Sequence, residues 1–159
     1  MHYGDDFCQA AGVWFERFQD AVPAREVVLS LPVAADYESG SFYRRELPPI
    51  LALLEAAECL VIDGYVHLGA ERRPGLGHFV WEASGVPVIG VAKTRFEGTP
   101  GECALMRGAS ARPLWVTAAG LELAEAMQRV GEMHGPYRLP TLLKRVDALA
   151  RGPAGTPRA

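Results

Sequence analysis

Apolar positions along this chain fall into short blocks whose period changes partway. Residues 10–18 and 25–31 mix aromatic and β-branched residues on either side of Asp20-Ala21-Val22-Pro23, the pattern of two strands joined by a turn. Residues 2–7 are placed to pair beside them. From Pro48 the period lengthens, with Leu47, Ile50, Leu51, Leu54 and Ala57 at helical spacing. Pro48 and Pro49 are expected in that helix's first turn, where a missing amide donor does no harm. The helix leads into an apolar run from Cys59 to Asp63, closed by the acid and then Gly64. A buried strand whose C-terminal end faces a site has that form. Residues 75–84 read as a second helix and 86–91 as a second buried strand. A polar, glycine-bearing loop at 98–112, expected on the surface, precedes a short strand at 113–117. Leu123, Met127 and Val130 then mark one helix face, and Leu142, Leu143, Val146 and Leu149 another.

Strands first, then helices and strands in alternation, imply an α/β fold. Its mixed central sheet would carry antiparallel N-terminal strands and flanking helices. A length of 159 residues, 49% of them hydrophobic, suits one continuous core. Residues 1–151 are therefore expected to form a single domain, and 152–159, rich in Gly and Pro, a disordered tail.

Charge narrows the function classes. A net charge of -3 excludes a protein that coats nucleic acid through bulk positive charge. It leaves room for a local basic strip built from Arg44, Arg45, Arg72, Arg73, Lys93 and Arg95, although arginine pairs also occur as solvated surface. Cys8, Cys59 and Cys103 are odd in number and far apart, which suggests reduced, mostly buried thiols. Acids at Asp5, Asp6, Glu16 and Asp20 argue against a secretory signal, and no apolar run approaches membrane-spanning length. A cytoplasmic protein with no membrane partner is expected.

The candidate chemistry lies in three acids on separate elements. Asp6, with Asp5 as a near alternative, Glu46 opening a helix and Asp63 ending a strand have the character of ligands for magnesium. Such a cation takes oxygen donors and keeps several waters. Lys93, ending the next strand, would sit beside a phosphate as a point charge. A metal so held acidifies a bound water and stabilises a leaving oxygen, the requirements of phosphodiester hydrolysis. Most single acids serve solubility or cap helices, but solubility explains poorly an acid that closes an apolar run. Gly75-Leu76-Gly77 lacks the rest of any glycine-rich phosphate fingerprint, and there is no P-loop or nucleophile elbow. Chemistry on a phosphorylated small molecule therefore ranks last.

Arg45-Glu46 with Pro48 and Leu51, Ile62-Asp63-Gly64, the run from Val86 to Lys93, and Tyr137-Arg138-Leu139-Pro140 together resemble endonuclease V. That family cuts nucleic acid near deaminated adenine, that is, hypoxanthine as in inosine. The spacing between blocks is similar too, and the resemblance runs from about residue 2 to residue 151. It implies a ribonuclease H-like fold, dependence on magnesium or manganese, and a carboxylate triad. Asp6 matches the acid of the first-strand Gly-x-Asp motif, Glu46 that of Phe-Arg-Glu, and Asp63 that of Asp-Gly. Lys93 matches the lysine after Gly-Val-Ala. A flipped base would lie against backbone near Gly64 and Gly90, with Tyr37 stacked into the gap, and Arg72 and Arg73 would hold nearby substrate.

Departures from the family pattern are as informative. The strand-separating wedge, Pro-Tyr-Ile-Pro, stands here as Asp36-Tyr37-Glu38-Ser39. The His-Pro-Arg loop is replaced by residues 69–74, and the Gly-His pair that supplies a catalytic histidine falls on Ala119-Gly120. His78 and His134 are substitutes if either approaches the metal. Two readings follow. One is a divergent, metal-dependent endonuclease acting on DNA or RNA, in DNA repair. The other is a nucleic-acid-binding paralogue weakened or inactive for want of the histidine.

Overall fold

The computed structural model describes residues 1–3, 7–32 and 43–152. Three strands lead: β1 (His2–Tyr3), β2 (Phe7–Trp14) and β3 (Arg25–Pro32), an antiparallel sheet in the order β1-β2-β3. The turn joining β2 to β3 is organised by Asp20 rather than by Pro23 alone. Its carboxylate accepts from the amides of Glu16, at 3.2 Å, and Arg17, at 2.9 Å. These side chain to backbone bonds end β2 at Trp14, four residues short of the expected limit.

Helix α1 spans Tyr43–Leu53 and so begins before the expected start, which moves Pro48 and Pro49 out of its first turn. Pro49 is buried, so packing offsets the amide donors that the two prolines lack. The earlier start puts Glu46 in the first turn, where the helix dipole favours a carboxylate. Strand β4 (Leu60–Asp63) follows, then a small hairpin of β5 (His67–Leu68) and β6 (Arg73–Pro74), helix α2 (Leu76–Ser84) and strand β7 (Val88–Ala92). Strands β8 (Ala104–Leu105) and β9 (Leu114–Ala119) and helices α3 (Leu123–Glu132) and α4 (Thr141–Ala150) complete the order.

The central sheet runs β4-β7-β9-β8, parallel between β4 and β7 and antiparallel elsewhere, which makes it mixed. Its two faces are filled by the two-residue alternation of its strands. Ile89, Val91, Leu114, Val116 and Ala118 face Ala126 and Val130 of α3 and Leu142 and Leu143 of α4. Ile62, Val88 and Ala119 point the other way, against Val80 of α2 and Leu47 and Ile50 of α1. Each such Val, Leu or Ile contributes about 1.5–3 kcal/mol by leaving water.

The 98–112 segment is not simply a surface loop, since β8 extends the sheet from it and Cys103 is buried. Arg107 is 7% exposed and donates to the carbonyls of Met133 and Tyr137, so a cation caps the carboxyl end of α3. Cys8, Cys59 and Cys103 are free thiols, the first and last of them buried. On the N-terminal sheet, Gln9 is 2% exposed and its amide nitrogen donates to the carbonyls of Leu149, at 3.1 Å, and Gly152, at 3.0 Å. That bond ties β2 to the end of α4. Among the described residues, no helix is long and apolar enough to cross a membrane.

Candidate functional site

Parallel pairing brings the two chemical strand ends side by side. Ile62 lies opposite Gly90 and Asp63 opposite Val91, so the carboxyl ends of β4 and β7 meet at one edge of the sheet. There Lys93 Nζ stands 3.6 Å from Asp63 Oδ2, with the side chains 35% and 56% exposed. An ion pair that open to water contributes little to stability, about 0–1 kcal/mol. Both groups remain accessible to an approaching phosphate. Glu46 joins Asp63 and Lys93 in lining one cleft of about 720 Å³ between the N-terminal sheet, α1, β4 and the last two helices.

Three neighbours that sequence reasoning missed hold this edge in place. The Gly64 amide donates to the Val91 carbonyl at 3.0 Å, laying the turn after Asp63 across β7. Beneath it a Cβ on Gly90 would meet the Gly64 oxygen at 2.5 Å and Thr117 Oγ1 at 2.8 Å, so only glycine fits. Thr117 is the first of the three: its hydroxyl accepts the Val66 amide at 2.8 Å. The second, Tyr65, donates its hydroxyl to the Thr94 carbonyl at 2.8 Å and accepts the Phe96 amide at 3.0 Å. It thus joins the loop after Asp63 to the loop after Lys93. Arg138 is the third, donating to the carbonyls of Lys93 at 3.2 Å and Pro113 at 3.4 Å. Weak signals for them existed: an aromatic directly after Asp-Gly, a lone hydroxyl in an apolar strand, and the arginine of the Tyr137–Pro140 block.

The other expected residues are placed as follows. Arg72 and Arg73 are exposed beside the β5-β6 hairpin; Arg72 Nη2 is 3.4 Å from His67 Nδ1, and the Arg73 guanidinium lies 5.9 Å from the Phe96 ring. Arg95 is engaged in the fold, stacked 4.9 Å from the Trp115 ring and bonded to the Thr99 carbonyl at 2.7 Å. His78 sits on α2 with Nε2 3.3 Å from Glu82, and His134 Nδ1 is 2.9 Å from Thr141 Oγ1. Neither histidine lines the cleft that holds Glu46, Asp63 and Lys93. At Gly120, φ is +77° and a Cβ would meet Trp81 Nε1 at 2.8 Å, so this backbone has no place for a histidine there. Asp5, Asp6 and Tyr37 lie outside the described residues, as does the tail from residue 153.

The donor chemistry fits a hard divalent cation. Glu46 and Asp63 both line one cleft, and a carboxylate is the donor type that magnesium or manganese takes beside its waters. Among the described residues, no group of three or more His, Cys, Asp or Glu converges closely enough to hold a metal by itself.

The family model for endonuclease V matches residues 4–115. An endonuclease V from Streptomyces coelicolor is 31% identical over 176 aligned positions, covering 87% of this chain and 75% of that protein. The crystal structure of endonuclease V from Streptomyces avermitilis superposes with a TM-score of 0.64 at 26% identity, covering 91% of this chain and 79% of the other. An endonuclease V from Ciona intestinalis shares the fold at 17% identity, with a TM-score of 0.65 and coverage of 92% and 84%; it was crystallised with a 23mer DNA containing an inosine followed by a ribo-adenosine. The ribonuclease H-like architecture expected from the sequence is therefore the architecture present. With adjoining strand ends carrying Asp63 and Lys93, and a family match across most of its length, this chain belongs to the endonuclease V family of nucleic-acid endonucleases.

Proposed function

We propose that this protein hydrolyses phosphodiester bonds in nucleic acid near deaminated bases, with Asp6, Glu46 and Asp63 holding magnesium or manganese. The observation that carries this reading is the Asp63–Lys93 pair at adjacent strand ends, on the same cleft as Glu46. A metal bound there would supply an acidified water and charge stabilisation on the leaving oxygen. The Lys93 ammonium steadies the neighbouring phosphate as a point charge, and its pairing with Asp63 keeps it on the sheet edge until substrate arrives. Gly64 offers bare backbone to a flipped base, and Gly90 beneath makes room for Gly64. Tyr37 is assigned to stacking against the gap left in the strand, and Arg72 and Arg73 to the flanking backbone. The inosine in the DNA held by the Ciona relative is in keeping with hypoxanthine as the recognised base.

One observation favours a second reading, a nucleic-acid-binding paralogue of reduced or lost turnover. The resemblance puts Gly120 at the place of the family histidine, and neither His78 nor His134 lines the cleft. Loss of one general acid or base costs about two to four orders of magnitude, so slow metal-dependent cutting remains the expectation.

The deciding experiment is cleavage of an inosine-bearing strand under magnesium and manganese, with metal binding followed by calorimetry on the same samples. Wild type is expected to bind metal and cut, and Asp63→Asn to lose at least about a hundredfold in rate. Binding without cutting by wild type would favour the paralogue. No binding at all would remove the metal site.

A further inference from the structure

The sequence holds 19 Asp and Glu, yet none falls within residues 103–121 or within residues 133–146. The fold brings these two acid-free segments together. Arg107 donates to the Tyr137 carbonyl, and a Cβ on Gly108 would strike the Pro136 oxygen, so backbone lies against backbone there. Arg138 donates to the carbonyls of Lys93 and Pro113, which ties the junction to the strand ends of the candidate site. On this junction Tyr137 is 65% exposed, although its backbone is pinned from both sides. Lys144 Nζ stands 4.1 Å from the centre of its ring. Core packing does not account for such a ring; an exposed aromatic on a fixed backbone, with a cation beside it, has the properties of a stacking platform.

We propose that Tyr137 and Lys144 hold an unpaired nucleotide of a single-stranded nucleic acid, its base stacked on the ring and its phosphate on the ammonium. The proposal rests on the nucleic-acid reading of the site and extends the bound strand beyond the cleft. Continuity with the cleft supports it. Leu139 lines the cleft, and Tyr137 is two residues away, a span of at most about 7 Å. β7 and β9 are antiparallel neighbours, so Lys93 and Pro113 lie at one edge of the sheet, and Arg138 joins them beside Tyr137. A strand with a phosphate at Lys93 therefore continues onto this rim. The cations there divide by what they touch. Arg107 is taken by backbone and Arg145 by Glu26, at 2.6 Å, whereas Lys144 and Arg112 are exposed to a phosphate. A flat ring accepts the face of any base, so the platform adds affinity without reading sequence.

Fluorescence anisotropy on the full chain tests this, with a labelled oligothymidylate of about 15 nucleotides, chelator present so that nothing is cut, and a strand of equal length made of abasic sites as control. Tyr137→Ala is expected to bind the oligothymidylate about tenfold more weakly than wild type, with an unchanged salt slope, and to bind the abasic strand as wild type does. Tyr137→Phe should retain wild-type affinity, and Lys144→Ala should lower the salt slope by about 0.7 on both strands. Equal binding by wild type and Tyr137→Ala overturns the platform, as does an equal loss on the abasic strand, which would mark a structural role. Cleavage of the inosine-bearing strand by wild type would stand in either case, so this failure is separable from that of the nuclease reading. A wild type that neither binds these strands nor cuts would overturn both.

Discussion

Asp63 and Lys93 show how strand register brings together two residues far apart in sequence. Each closes an apolar strand, each has an ordinary exposed side chain, and the parallel register sets them 3.6 Å apart. Gly90 makes this closeness workable, because any side chain there would displace the Gly64 carbonyl and the turn that follows Asp63. Gly90→Ala is expected to cost about 1–3 kcal/mol, from overpacking against backbone. Chemical denaturation should register the loss, together with a fall in metal affinity as Asp63 shifts. Tyr65→Phe keeps the ring but leaves the Thr94 carbonyl and the Phe96 amide without their shared hydroxyl. Its expected cost is about 0.5–1.5 kcal/mol, and the loop after Lys93 should show faster amide exchange. Asp63 and Lys93 were legible in the sequence because an acid or a lysine ending an apolar run breaks a local pattern. Tyr65, Thr117 and Arg138 were not, because their work is a bond to backbone distant in sequence, which no local pattern marks.

Elements were legible to the extent that periodicity governs them. The strands at β4, β7 and β9 and the helices α2, α3 and α4 fall where alternation and helical spacing put them. Boundaries moved where a single side chain overrides the pattern, as Asp20 does after β2, and where burial of Pro49 lets α1 run through two prolines. The 98–112 segment was misjudged because its polar composition hides Arg107, whose charge is spent on the carboxyl end of a helix. The β5-β6 hairpin carries a pH dependence of its own. Burial, and then the charges of Arg72 and His78, hold the His67 imidazole below its ordinary value of 6.5. The unfolded hairpin thus takes up a proton more readily than the folded one. Its stability is complete above that ordinary value and declines as pH falls through the lower, folded one. Amide exchange across residues 67–74, corrected for intrinsic rates, should accelerate as pH falls below the ordinary imidazole value of 6.5 in wild type and not in His67→Gln.

Over the whole molecule, a net charge of -3 means that nucleic acid is attracted locally rather than generally. Arg72 and Arg73 lie exposed on a hairpin that leaves the sheet a few residues after Asp63, beside His67 and the Phe96 ring. Replacing both with alanine is expected to weaken binding of a single strand at low salt and to reduce the salt slope by about 1.5, as two phosphate contacts are lost. Binding isotherms at several salt concentrations would show it, and an unchanged slope would place the contact elsewhere.

The bond from Gln9 to Leu149 spans 140 positions of sequence. A strand made well before α4 therefore finds this buried partner only once that helix has been made. The β2-β3 hairpin pairs locally and meets α1 before α4 exists, but its contact with α4 waits for that helix to turn back on it. Order of manufacture and order of assembly are thus opposed in this chain. Until that contact forms, the face of β2 that α4 covers lacks its last partner.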